Sequence, residues 1–150
     1  MGAPVSDAEL LLVVEDSEED REAIKRALSR SHPELALEFL ADGDAVRGRL
    51  LDPARPRPSL VLLDLNMPGV DGYRVLADLR AAPELDPLVV VVFTSSTTSA
   101  DVDRCYAGGA DSYVYKPVNF ALFRTVLQGT IDYWRTNGYA RSAGPGPAGG

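Results

Sequence analysis

The chain has 150 residues, 45% of them hydrophobic and 25% charged, which suits one globular domain with its own core and argues against a disordered chain or a two-domain enzyme. Asp and Glu number 22 against 15 Lys and Arg, a net charge of -7 whose field repels phosphate backbones and anionic lipid, so neither nucleic acid nor a membrane is an expected partner. One cysteine, Cys105, and one histidine, His32, exclude an intrachain disulfide and a structural zinc cluster.

Residues 1–8 read as an N-terminal extension without the basic and apolar regions of a signal peptide, and no apolar run approaches the ~20 residues that span a bilayer, so a cytoplasmic location is expected. Leu10 to Val14 is an uninterrupted apolar run, too short for a helix and suited to a strand buried on both faces. A helix is predicted over 17–30 with Ser17 as its N-cap. Leu35 to Leu40 is a weaker, partly alternating strand containing Glu38, followed by a helix over 42–51 and a Pro-rich loop, DPARPRP, at 52–58. SLVLL at Ser59 to Leu63 is a third strand, and Asp71 caps a helix over 71–82. After the loop APELDP (82–87), LVVVVF at Leu88 to Phe93 forms a fourth strand and 98–107 a fourth helix. Tyr113 to Tyr115 is a short fifth strand and 119–136 the last helix, leaving 137–150 as a structureless Gly/Pro/Ala-rich tail with no output domain after it. Five strands alternating with five helices predict an α/β fold, a doubly wound parallel sheet with helices on both faces, because parallel strands need crossovers and the crossovers are right-handed.

In such a sheet the ligand site lies beyond the carboxyl ends of the strands. Glu15 and Asp16 follow the first strand, Asp64 the third, Thr94 the fourth and Lys116 the fifth. Crowded carboxylates without imidazole or thiol favour a hard cation such as Mg2+. The Thr94 hydroxyl and Lys116 ammonium suit the oxygens of a phosphoryl group. No glycine-rich phosphate loop is present, and EDSEED stands where a GxGxxG turn belongs, so nucleotide binding loses its usual support. What remains is an aspartate that accepts phosphate as an acyl phosphate.

VVEDSEED at 13–20, LVLLDLNMPGVDGYRVLADLR at 60–80, FTSS at 93–96 and GADSYVYKP at 109–117 together resemble the receiver domain of two-component response regulators. Thr94 lies 30 positions and Lys116 52 positions beyond Asp64, the spacing of that family. The resemblance covers residues 9–136 and is closest to single-domain regulators paired with phytochrome-type histidine kinases. It implies a flavodoxin-like sheet in the order 2-1-3-4-5 and phosphorylation of Asp64 by a sensor histidine kinase. It further implies Mg2+ held by Glu15, Asp16, Asp64 and the Asn66 backbone carbonyl, with Thr94 and Lys116 gripping phosphoryl oxygens and Tyr113 rotating inward behind Thr94. Asn66, Ser95 and Ser96 would tune the reaction, and the Lys116–Pro117 peptide would be cis. Ser95 departs from the small Ala common at its position.

Cys105 reads as a helix packing residue and His32, ahead of Pro33, as a C-terminal cap. The last helix carries two apolar stripes where a sheet-packing helix needs one. Phe120, Phe123, Leu127, Ile131 and Trp134 form the first, and Leu122, Val126, Thr130 and Tyr133 the second. The spare stripe, with Leu122, Val126 and Tyr133, is the expected face of a homodimer. Three other readings stay open on the residues alone. They are a phosphorylation-independent interaction module, a haloacid-dehalogenase-type phosphatase and a flavodoxin-like electron carrier.

Overall fold

The structure is a computed structural model that describes residues 9–67 and 71–141. Its strands are β1 (Leu10–Val14), β2 (Ala36–Leu40), β3 (Leu60–Leu63), β4 (Val89–Thr94) and β5 (Ser112–Tyr115). Its helices are α1 (Glu18–Ser29), α2 (Val46–Leu51), α3 (Gly72–Arg80), α4 (Ser99–Ala107) and α5 (Phe120–Thr136). The strands form one parallel sheet in the order β2-β1-β3-β4-β5, as the resemblance implies.

The unbroken apolar strands follow from burial on both faces. Leu12, Val14, Val61, Leu63, Val90 and Val92 face one core with Val46, Leu50, Val75, Leu76, Leu79 and Cys105 from α2, α3 and α4. Their sequence neighbours Leu11, Val13, Leu60, Leu62, Val89 and Val91 face a second core with α1 and α5. Each strand residue thus fills one of two opposed layers, and truncating a fully buried one such as Leu62 to Ala costs about 2–5 kcal/mol. Cys105 is buried in the first core, in keeping with a packing role. The edge strand β2 is only half-buried, which explains its alternating sequence. Its Glu38 accepts two bonds from Arg49, at 2.7 and 2.8 Å, and one from Arg55 at 2.8 Å.

Local chemistry sets most boundaries. The Ser17 hydroxyl accepts from the Asp20 amide and the Asp71 carboxylate from the Tyr73 amide, so both predicted caps are in place. Asp42 caps a 3-10 turn at Gly43–Ala45 that precedes α2, which makes the second helix shorter than the predicted 42–51. The loop at 82–87 contains a further 3-10 turn, Pro83–Leu85, because Pro83 presets the first helical φ and Leu85 buries fully in the first core.

Three expectations need correction. The described chain has no cis peptide bond, so Lys116–Pro117 is trans, and Lys116 reaches its carboxylate partners from that geometry. His32 closes α1 only through its backbone, the amide donating to the Leu28 carbonyl at 2.9 Å; its buried ring lies 2.7 Å from both the Ser31 hydroxyl and Asp132 of α5, and so ties the end of α1 to the last helix. Residues 137–141 belong to the packed structure and not to a tail. Gly138 and Tyr139 take left-handed φ values of 67° and 53°, turning the chain back so that Tyr139 packs on the second core beside Glu9. Arg141 then donates to Asp111 at 2.7 Å and to the Asp86 carbonyl at 2.8 Å. The predicted extension at 1–8 and the rest of the predicted tail, 142–150, lie outside the described residues. No described helix is long and apolar enough to cross a membrane.

Candidate functional site

The sheet ladder continues one residue past β1, β3 and β5 and fixes the backbones that carry the site. The Glu15 amide donates to the Leu40 carbonyl at 2.9 Å, Asp64 to Val14 at 3.1 Å, and Lys116 to Thr94 at 2.7 Å. Glu15 and Asp64 are thereby held side by side at the carboxyl edge, only 1% and 4% exposed, and Thr94 is fully buried. Lys116 extends back over them. Its ammonium donates to Glu15 Oε1 and Asp20 Oδ2, each at 2.9 Å, and lies 3.5 Å from Asp64 Oδ2.

Carboxylate oxygens of Glu15, Asp20 and Asp64 all come within 4.8 Å of one another. Their electrostatics follow from burial. Desolvation pushes the Glu15 carboxyl up to about 7, with Lys116 pulling it down and Asp64 adding to the rise. Burial works against the Lys116 ammonium, but the Asp64 and Glu15 charges and the hydrogen bonds to Asp20 and Glu15 outweigh it and hold its pKa above the ordinary lysine value. Three converging carboxylates with one ammonium among them form a donor set short of positive charge. An all-oxygen set of this kind fits a hard divalent cation. The cleft above it measures about 640 Å³ and is lined by Glu15, Asp16, Asp20, Asp64, Asn66 and Lys116 among others.

Asp20 is the residue the sequence reading missed. It occupies the first turn of α1 with Glu18 and Glu19, where acids complement the helix dipole in any protein. The signal was available in the cap: Ser17 takes the Asp20 amide at 3.2 Å, which starts α1 at Glu18, and the Asp20 carboxylate meets Lys116 at the sheet edge. Asp16 lines the same cleft but lies outside the tight carboxylate group.

The remaining expected residues lie on the far side of Asp64. Asp64 Oδ1 accepts from the Asn66 amide at 3.0 Å, and Asn66 Nδ2 donates to Thr94 Oγ1 at 2.7 Å and Ser95 Oγ at 3.1 Å. The Ser96 amide also donates to Thr94 Oγ1, at 3.3 Å. Tyr113 stands outside this group, its hydroxyl donating to the Ser96 carbonyl and its amide to Tyr106. Burial raises the pKa of the Tyr113 hydroxyl and keeps it a donor. Along α5, Phe123, Leu127, Ile131 and Trp134 are buried and Phe120 half-buried, as the first stripe requires. In the second, Leu122 is 58% and Tyr133 53% exposed, with Val126 half-buried.

The sequence profile of the response regulator receiver domain matches residues 11–128. The chain belongs to that family. It is 35% identical over 139 residues to the probable methanogenesis regulatory protein FilR2 of Methanothrix harundinacea, covering 91% of this chain and 88% of that one. It is also 35% identical over 129 residues to the response regulator Rcp1 of Synechocystis, covering 83% and 88%. The Mn(2+)-bound form of Rcp1 superposes with a TM-score of 0.76 over 84% of this chain and 94% of that one. The phosphorylated cyanobacterial phytochrome response regulator RcpA, 29% identical, superposes at 0.78 over 86% and 95%. The chain is a signalling receiver of the two-component type, with the flavodoxin-like order expected of it.

Proposed function

We propose that Asp64 accepts a phosphoryl group from the phosphohistidine of a sensor histidine kinase and that the loaded chain signals through protein contacts. The observation that carries this reading is the Lys116 ammonium set among Glu15, Asp20 and Asp64, an arrangement that, with a divalent cation at the carboxylates, suits an incoming dianionic phosphoryl group. The Asp64 carboxylate oxygen forms its bond to phosphorus as the donor nitrogen–phosphorus bond breaks, and the imidazole nitrogen leaves with the electron pair. Glu15, Asp20 and Asp64 would hold Mg2+, with Asp16 and the Asn66 carbonyl beside them; bound there, Mg2+ neutralises charge on the phosphoryl oxygens. Lys116 holds a phosphoryl oxygen by its ammonium, and Thr94 by its hydroxyl once that group leaves Asn66 and Ser96. Tyr113, released from Ser96, turns inward behind it.

The likeness to RcpA supports a phytochrome-type kinase as donor, and a cytoplasmic location is part of the same proposal because ATP-fed kinases load their histidines there. The exposed Leu122 and Tyr133 of α5, with the half-buried Val126 between them, support a homodimer through that stripe. Sedimentation across micromolar concentrations checks it: Leu122→Glu should shift a dimer to monomer, and a wild-type monomer at every concentration, with or without phosphodonor, refutes it. The function itself is tested with acetyl phosphate and Mg2+. Wild type should gain one hydroxylamine-labile phosphate by intact mass, and Asp64→Asn none; a gain that survives in Asp64→Asn overturns the assignment.

A further inference from the structure

Ser96 is the most heavily tied residue of the segment between β4 and α4. Its amide donates to Thr94 Oγ1, its carbonyl accepts the Tyr113 hydroxyl, and its own hydroxyl donates to Asp101 Oδ2 in the first turn of α4. The other Asp101 oxygen accepts the Tyr73 hydroxyl of α3 at 2.7 Å. The Arg104 guanidinium lies 3.7 Å from the centre of the Tyr73 ring and fixes that ring against α4. One carboxylate thus joins a tyrosine on α3 to the loop that follows the switch threonine.

The two ends of this link differ in freedom. Tyr73 follows Gly72, where a Cβ would meet the Leu65 Cα at 2.9 Å and the Asp64 carbonyl at 3.3 Å, so the start of α3 is pressed onto the backbone of the acceptor itself. Tyr73 is therefore anchored to the Asp64 side of the site. Ser95 is exposed and Ser96 half-buried, and their segment has no apolar anchor between Phe93 and Cys105 that is fully buried. For Thr94 to reach a phosphoryl oxygen, Thr94 Oγ1 must leave the Ser96 amide, and for Tyr113 to turn inward it must leave the Ser96 carbonyl. Both movements break a bond to Ser96, and the Asp101 carboxylate holds Ser96 where those two bonds form.

We propose that Tyr73 and Asp101 are positioning residues that latch Ser96 to α3 and set how often the loop reaches the phosphate-gripping arrangement. The inference rests on the phosphoacceptor reading above. A latch that favours one of two loop positions lowers the population of the other, and the rate of any step that needs the other falls by the same factor. The net value of one such hydrogen bond corresponds to a change of about two- to tenfold.

The test is the rate of Asp64 loading by acetyl phosphate with Mg2+, followed by intact mass on the full chain, together with amide hydrogen exchange over 95–99. Tyr73→Phe keeps the ring and its guanidinium contact and removes only the hydroxyl. It should load about two- to tenfold faster and exchange faster at 95–99. Ser96→Ala cuts the latch from the other end and should shift both readouts the same way, and Ser96→Thr, which restores a hydroxyl, should return them toward wild type. These variants stand in if Tyr73→Phe does not fold. A purely structural tyrosine would lower the melting temperature and leave loading unchanged. Wild-type loading rates and exchange in Tyr73→Phe or Ser96→Ala overturn the latch while leaving the phosphoacceptor standing. A wild-type chain that takes up no phosphate overturns the function, and the latch with it.

Discussion

Lys116→Met removes the charge of the site and keeps most of its stem, and the structure sets the size of the effect. The ammonium makes two 2.9 Å pairs, with Glu15 and Asp20, and lies 3.5 Å from Asp64. At an effective dielectric constant of about 20, each 2.9 Å pair carries about 6 kcal/mol of Coulomb energy, most of which is taken back by desolvating the ammonium. Removing one partner of a buried pair costs about 3–5 kcal/mol because the other is left uncompensated. Two features reduce that figure here. Asp20 is one-third exposed, so its share is screened by water, and Glu15, already pushed up to about 7 by burial, takes up a proton when the ammonium is gone. Lys116→Met should therefore lose about 2–4 kcal/mol at pH 7 in the presence of a chelator. For a domain of this size that is a melting temperature lower by about 4–16 °C. Mg2+ should restore much of it, because a cation at the carboxylates replaces the lost charge and no longer meets the ammonium's repulsion; binding at about 100 times Kd adds about 2.7 kcal/mol. Thermal melts of wild type and variant, with chelator and with saturating Mg2+, decide the matter. A variant that melts with wild type under chelation, or gains no more from Mg2+ than wild type does, refutes the argument that Lys116 and a divalent cation serve the same carboxylates.

Gly72→Ala should lower stability by about 1–3 kcal/mol, since the added methyl meets Leu65 Cα at 2.9 Å and backbone must move, and it should slow Asp64 loading because that backbone positions the acceptor. Melting and the acetyl phosphate time course check both; an unchanged loading rate shows that the close approach is not part of the site. Glu38→Gln should cost about 2–4 kcal/mol at pH 7, because Arg49 is buried and its Nη1 has no partner to fall back on. The Arg49 hydrogen bond holds the Glu38 carboxyl below its ordinary 4.5 despite burial, so this stability is present above about pH 4.5 and is lost as pH falls through the lower folded value. Chemical denaturation from pH 7 downward should show the gap between wild type and Glu38→Gln closing in that window, and a gap independent of pH refutes the pairing.

The fold was legible because its strongest signal is local. Runs such as LVVVVF admit one reading in a chain with helices between them, and burial of Val90 and Val92 in one core and Val89 and Val91 in the other is what such a run means. Boundaries were less legible where side chains reach across the fold. Residues 137–141 carry Gly and Ala in a pattern that suits a tail, yet Tyr139 finds Glu9 and Arg141 finds Asp111, partners 130 positions away in the first case and 30 in the second. His32 was misjudged for the same reason, since nothing near it in sequence announces Asp132.

The candidate site divides along the same line. Glu15, Asp64, Thr94 and Lys116 stand at strand ends, where topology alone brings them to one edge, and the sequence could place all four without knowing a single contact. Asp20 cannot be found that way, because its position is a product of helix phase and of the turn between β1 and α1. In a strand-end reading Asp16 is the natural companion of Glu15, one residue further along the chain. Asp16 lines the cleft with it, and a helix capped at Ser17 returns its third residue to the strand end as well. The Asp20 carboxylate then meets Lys116 at 2.9 Å and completes the tight group with Glu15 and Asp64. Asp101 and Tyr73 escaped for a related cause: they reach Ser96, which the sequence did single out, through one carboxylate that joins two helices and a loop, and neither announces that link when read alone.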